Sequence, residues 1–203
     1  MDIVEKLTEI FKEFPGIGER QAKRFVYFLM GKTPAYVGNL SSLILDLKKE
    51  IRQCKECFRF FLVSKGKKDI CEICGNKNID LSLLMVVEKD SDLESIYKSR
   101  VYGGKYFILG GLVPIVEKTT KSRIRIEELK SKIKDTGTLK EIILAFSLNP
   151  QGDHTDHYVR SELKQLTEEK NLKVSSLGRG LSTGTELEYS DNDTIRNALK
   201  NRQ

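Results

Sequence analysis

CKECFRFFLVSKGKKDICEIC, residues 54–74, holds all four cysteines of a 203-residue chain, as two C-x2-C pairs separated by 13 residues. Each pair can present two thiolates from one tight turn. Two such turns facing one another make the tetrahedral sulfur cage that Zn2+ adopts in closed structural sites. The interval is slightly short of the usual double C-x-x-C zinc pattern. Other readings of paired cysteines fit less well. Disulfides need an oxidising compartment, and the chain opens with MDIVEKLTEIFKEF, a charged amphipathic run without the apolar core of a signal peptide. A thioredoxin-like motif would be one C-x-x-C beside a strand–helix unit, not two in a Lys-rich segment. Iron–sulfur clusters also accept four thiolates, from differently spaced runs. The expectation is one structural Zn2+ per chain, because four cysteines leave no open position for a catalytic water.

Upstream of the cysteines the pattern is helical. Ile3, Val4, Leu7, Ile10, Phe11 and Phe14 fall on one face of a helix over 3–14, which Phe14-Pro15-Gly16-Ile17-Gly18 stops. Ala22, Phe25, Val26 and Leu29 mark a second helix. Pro15 ends the first helix, and Gly16 and Gly18 allow backbone conformations and close approaches that a side chain would forbid. Turn amides at the start of the second helix can face a phosphate oxygen, with Arg20, Lys23 and Arg24 adding charge-assisted contacts. Such a helix, PGIG turn, helix pattern also occurs as an ordinary packing hairpin. Val37, Leu40, Leu43, Ile44, Leu47 and Ile51 predict a third helix leading directly into Cys54.

Downstream, near residue 80, short apolar runs begin to alternate with helical patterns. The predicted strands are 83–87, 106–109, 141–146 and 173–177. The predicted helices are 90–98, 126–133 and about 155–170. This β-α series implies a mainly parallel sheet covered by helices. A turn-rich GRGLSTGTELEYSD segment and a short helix around Ile195–Leu199, capped by Asp191 or Asp193, close the chain.

In parallel sheets ligands gather at the carboxyl ends of strands. The first strand of the series runs into Glu88, Asp90 and Asp92, and the third into a loop with Gln151, Gly152 and Asp153. Glu88, Asp92 and Asp153 could converge on one crevice suited to Mg2+, or could be solvated acids, with Asp90 or Asp92 capping the next helix.

Charge and composition bound the classes. The net charge is +6 with a pI near 9.0, which favours a polyanionic partner. Residues 1–80 carry 15 Lys and Arg against 11 Asp and Glu, and residues 81–203 carry 20 against 18, so any nucleic-acid surface is expected to start in the first part, the alternative being a solvated basic surface. No apolar run is long enough to span a membrane, and a soluble cytoplasmic protein is expected.

Taken in order, the hairpin over Phe14–Gly18, the four-cysteine knuckle, an α/β region opening with VVEKDSDLESI and a late GRGLSTGTELEY segment resemble the RecR family of bacterial recombination mediators. The resemblance covers nearly the whole chain. It implies an α+β, α/β multi-domain fold: a helix-hairpin-helix domain (1–53), a four-cysteine zinc finger (54–80), a Toprim-like domain (81–177) and a C-terminal assembly segment (178–203). It implies Cys54, Cys57, Cys71 and Cys74 as zinc ligands, Lys23 and Arg24 on a DNA-facing helix that also carries Arg20, and Glu88 and Asp92 on a partner-binding surface. It implies a non-enzymatic, ring-like homotetramer that binds single- and double-stranded DNA. The family works with RecO, and with RecF where present, to promote RecA loading at single-stranded gaps, in the bacterial cytoplasm near the nucleoid. Gln151 stands where the family motif carries an acid. Lys118, Lys121, Arg123 and Arg125 replace a glycine-rich continuation, and Ser182 replaces a common proline. The alternatives are a Toprim-type Mg2+-dependent phosphoryl-transfer enzyme and a zinc-bearing adaptor without DNA contact.

Overall fold

The computed structural model describes residues 1–63, 69–115, 124–178, 180, 181, 184 and 186–200. The LVSKGKKD centre of the cysteine stretch falls partly outside this set, and Lys118, Lys121, Arg123 and Ser182 fall wholly outside it. The chain divides into two compact units, Met1–Ile51 and Arg52–Gln203.

The first unit is three helices: α1 (Ile3–Lys12), α2 (Glu19–Met30) and α3 (Pro34–Glu50). Asp2 and Glu5 start α1 with a reciprocal capping box, the Glu5 amide donating to Asp2 and the Asp2 amide to Glu5. The α1–α2 hairpin buries Thr8, Ala22 and Val26, and Phe11 packs edge-on against Phe14 and Phe25, both at 5.7 Å. Gly16 adopts φ +77°, the left-handed conformation that the turn requires. Gly18 does not. Its φ is −84° and a Cβ there would meet nothing within 4 Å, so the turn's geometry leaves that position free for a side chain. Thr33 and Pro34 begin α3 as cap and first residue.

The second unit opens with a two-stranded sheet absent from the sequence expectation, β1 (Ile51–Gln53) and β2 (Phe60–Leu62). The third helix therefore does not run into Cys54. A four-stranded parallel sheet follows in the order β4-β3-β5-β6, from β3 (Asp80–Val87), β4 (Gly104–Ile108), β5 (Glu141–Ala145) and β6 (Lys173–Ser176). Between and after the strands run α4 (Asp90–Ser99), α5 (Ile126–Asp135), α6 (Pro150–Glu169) and α7 (Asn192–Lys200). Residues 147–153 are not an extended loop, because Asn149 caps α6 and Pro150 takes its first position. The cap of α7 is Asp191, whose carboxylate accepts from the Thr194 amide.

Side chains alternate across the sheet as the pleat demands. Leu84, Val86, Phe107, Ile142 and Leu144 face α5 and α6, which contribute Leu129, Ile133, Val159 and Leu163. Met85, Val87, Tyr106, Ile108 and Ala145 face the other way. That second face is covered by Leu93 of α4 and by the cysteine knuckle itself, through Cys54, Cys57, Phe61, Cys71 and Ile73. The knuckle thus stands where a doubly wound fold would place another helix.

The turn from β5 into α6 is fixed by Gly152, where a Cβ would collide with the Ser147 carbonyl oxygen. Gly152→Ala is expected to cost about 1–3 kcal/mol, as for other overpacked positions, read as a lower urea midpoint with unchanged slope.

Candidate functional site

Each C-x2-C pair closes a tight turn. The Phe58 amide donates to the Cys54 carbonyl and the Gly75 amide to the Cys71 carbonyl, both at 2.9 Å. The two turns are stitched together by the Lys55–Asp69 and Arg59–Glu72 ion pairs. The Sγ atoms of Cys54, Cys57, Cys71 and Cys74 lie within 4.8 Å of one another, and all four cysteines are free thiols. The 3.6 Å between the sulfurs of Cys57 and Cys71 is far beyond a disulfide bond. It is close to the edge, about 3.8 Å, of a tetrahedron built on ~2.3 Å zinc–sulfur bonds. The Cys71 amide donates to the Cys54 sulfur at 3.3 Å. Crowding splits the proton affinities of the sulfurs. Hydrogen bonding with Cys57 and then Cys71 drives Cys54 far down, and bonding with Cys54 and then Cys57 drives Cys74 far up. Four thiolates coexist at this spacing only around a cation, so the donor set fits zinc.

The knuckle is fastened to the α/β layers by specific bonds. The Ile108 amide donates to the Cys57 carbonyl at 2.9 Å, and the Phe60 amide to the Asp90 carboxylate at 2.7 Å. Phe58, at φ +64°, wedges its ring against Phe107 at 5.3 Å and under the Arg125 guanidinium at 5.2 Å. Arg125 in turn donates to the Ile108 carbonyl at 3.2 Å. Glu56 pairs at 2.8 Å with Lys132 of α5, whose side chain is only 9% exposed. Sequence patterning did not single out Asp90, Phe58 or Lys132 for these contacts. Their partners lie 30, 49 and 76 positions away, beyond the reach of any local periodicity.

Of the two readings of the acids, the structure favours separate acids over a shared crevice. Among the described residues the four cysteines are the one group of three or more His, Cys, Asp or Glu side chains able to hold a metal ion, and Glu88, Asp92 and Asp153 make no such group. The Glu88 side chain is only 16% exposed, accepts from Ser147 Oγ at 3.2 Å and has Lys89 at 3.8 Å. Asp92 sits in the first turn of α4 and Asp153 in that of α6. Neither Asp90 nor Asp92 caps α4, because the cap position is Lys89 and the Asp90 carboxylate is committed to the knuckle.

In the first unit, Arg20, Lys23 and Arg24 are all exposed on α2. No side chain caps the N-terminus of that helix. Lys23 is paired with Glu19 at 2.6 Å, which raises the ammonium's pKa and lowers the carboxyl's through the shared hydrogen bond first. Arg24 donates to Gln21 at 3.4 Å.

Residues 82–178 match the Toprim domain family. Recombination protein RecR of Bacteroides thetaiotaomicron is 34% identical over 200 residues, covering 98% of this chain and 93% of that protein. The chain belongs to the RecR family of recombination proteins. The RecR of Dehalococcoides mccartyi is 36% identical with coverage of 98% and 93%, and that of Acidothermus cellulolyticus 33% identical with coverage of 99% and 96%. In this RecR-family chain the Toprim match and the knuckle share one compact unit. Among the described residues no helix is long and apolar enough to cross a membrane.

The Lys132–Glu56 pair gives a test of how the knuckle is held. The hydrogen bond from Lys132 comes first and its charge second in keeping the Glu56 carboxyl below its ordinary range. A depressed folded-state pKa means that the pair's contribution is present above the unfolded carboxylate value and is lost as pH falls through the folded one. Lys132→Ala should cost about 1–2 kcal/mol near pH 7, since Lys132 is buried but Glu56 is half exposed. The gap to wild type should narrow in urea titrations as pH falls below the ordinary carboxylate range.

Proposed function

We propose that this chain is a DNA-binding, non-catalytic recombination mediator. In this reading it assembles as a ring-like homotetramer and works with RecO, and with RecF where present, to promote RecA loading on single-stranded gaps in the bacterial cytoplasm. The observation that carries the reading is the combination, in a chain aligned end to end with recombination proteins, of a closed four-sulfur cage with a Toprim fold whose acids do not gather. Gln151 stands at the position of an expected acid, and Glu88 is engaged by Ser147. Both weigh against Mg2+-assisted phosphoryl transfer.

Cys54, Cys57, Cys71 and Cys74 would hold one Zn2+. The ion would supply folding energy to a segment too short for a core of its own. Arg20, Lys23 and Arg24 are assigned to DNA phosphates, beside the uncapped amides that begin α2 and the open space over Gly18. Occupying Lys23 this way means drawing it from Glu19. Glu88 and Asp92, at the end of β3 and the start of α4, are assigned to the protein partner. Exposed apolar side chains support assembly through both ends of the chain. Leu43, Ile44 and Leu47 of α3 are 60%, 57% and 55% exposed, and Leu187 and Tyr189 of segment 178–203 are 65% and 76% exposed.

Lys23→Glu combined with Arg24→Glu should abolish DNA binding in gel-shift titrations while oligomer mass stays unchanged. Wild-type affinity should fall steeply between two salt concentrations. Retained binding in the double variant would overturn the placement, and no binding by intact wild-type oligomer would overturn the DNA reading. Glu88→Ala or Asp92→Ala should weaken RecO capture more than DNA binding. Stripping the metal with a chelator should lower thermal stability and oligomer mass first, with DNA binding lost as a consequence.

A further inference from the structure

The segment joining α4 to β4 has a composition that the proposed DNA-binding helix does not account for. Between Glu94 and Glu117 there is no Asp or Glu, while Tyr97, Lys98, Arg100, Tyr102, Lys105 and Tyr106 interleave cations with aromatic rings. The fold turns part of this run into a site. Tyr97, Lys98, Arg100 and Tyr102 line an open cleft of about 570 Å3 at the carboxyl end of α4. Arg100 takes the left-handed conformation that ends the helix, and the cations sit where the helix dipole is negative.

The aromatic walls differ. Tyr97 is 46% exposed. Tyr102 is held rigidly, its hydroxyl donating to the Lys105 carbonyl at 3.0 Å and its ring packed edge-on against Tyr106 at 5.1 Å. Burial pushes the Tyr102 phenol upward, and burial and then Tyr97 push the Tyr106 phenol up to about 12. Both rings are neutral near pH 7, as unperturbed phenols also are, and the carboxylates that act on Tyr102 are those of Asp80 and Glu141 from β3 and β5.

We propose that this corner is a second DNA contact, in which an unpaired base stacks on Tyr97 beside the fixed ring of Tyr102 while Lys98 and Arg100 meet the flanking phosphates. Aromatic faces select single strands, because only an unstacked base can reach them, and interspersed cations hold the backbone on either side. Lys98 is paired with Glu94 at 2.7 Å, so Arg100 is the primary phosphate partner and Lys98 joins by exchanging Glu94 for phosphate. The ten residues of α4 place this corner about 15 Å from Asp90, so a single strand here and a protein at Glu88 and Asp92 would occupy opposite ends of one helix.

The inference rests on the DNA-binding reading for its choice of polymer, and the test separates the two. Full-length wild type, Tyr97→Ala, Arg100→Gln and the Lys23→Glu/Arg24→Glu variant are titrated by fluorescence anisotropy with oligo-dT and with a duplex of equal length. Folding of each is checked by its thermal melt. Oligo-dT bearing 5-iododeoxyuridine is photo-cross-linked to wild type and the adduct mapped by mass spectrometry. The expected result is an adduct on Tyr97 or Tyr102, with oligo-dT binding roughly tenfold weaker in Tyr97→Ala and duplex binding unchanged. Unchanged oligo-dT affinity in both corner variants with no adduct there, while the α2 variant loses binding, overturns the corner and leaves the helical hairpin standing. Equal loss for both polymers in a folded Tyr97→Ala protein overturns stacking. Wild type that binds neither polymer overturns both readings.

Discussion

Four sulfurs confined within 4.8 Å of one another are the constraint on which the second unit depends. A β-sheet buries both faces only if something apolar covers each, and on one face of this sheet the cover is α4 together with the knuckle. The knuckle has little regular structure of its own, three residues in each of two strands and two tight turns. Its cohesion comes from the sulfur cage and from bonds that cross between the turns. Met85, Tyr106 and Ile108 are thus kept from water by a segment whose shape a metal ion would set. Metal binding and sheet stability are one equilibrium under that arrangement.

The element order was largely legible because the physics behind it is local. Continuous apolar runs bounded by turn residues gave the four parallel strands, and helical periodicity gave α1 to α6 and the short α7. Boundaries shifted where capping chemistry overrode periodicity, as where Asn149 and Pro150 start α6 five residues before its apolar pattern declares itself. The β1–β2 pair escaped notice because three-residue strands carry no measurable alternation. The cysteines were legible because metal geometry constrains spacing directly. The acidic residues were legible only as two alternatives. Whether Glu88, Asp92 and Asp153 meet depends on side-chain partners such as Ser147, and nothing in the spacing of the acids encodes them.

The same asymmetry runs through the helical hairpin. Gly16 and Gly18 look equivalent in the PGIG string, yet only Gly16 uses the freedom that glycine offers. Lys23 and Arg24 read as equally available cations, but Lys23 is ion-paired with Glu19 on α2 itself, whereas Arg24 makes only a long bond to the neutral amide of Gln21 and keeps its charge. A polyanion arriving at Lys23 exchanges one partner for another, and that side chain's affinity for phosphate is a difference between two similar interactions.

The hydrogen bond from the Phe60 amide to Asp90 carries a consequence for genetics. Three acids crowd into five positions at the end of β3, and an alanine scan would treat them as one surface. They belong to different categories of defect. A change at Asp92 alters the first turn of α4, a change at Glu88 removes the mostly buried acceptor of the Ser147 hydroxyl, and a change at Asp90 removes the acceptor that holds the Phe60 amide of the knuckle. Substitutions at Asp90 therefore act through the seating of the knuckle on the α/β layers, and they would be misassigned as contact mutants if phenotype alone were scored.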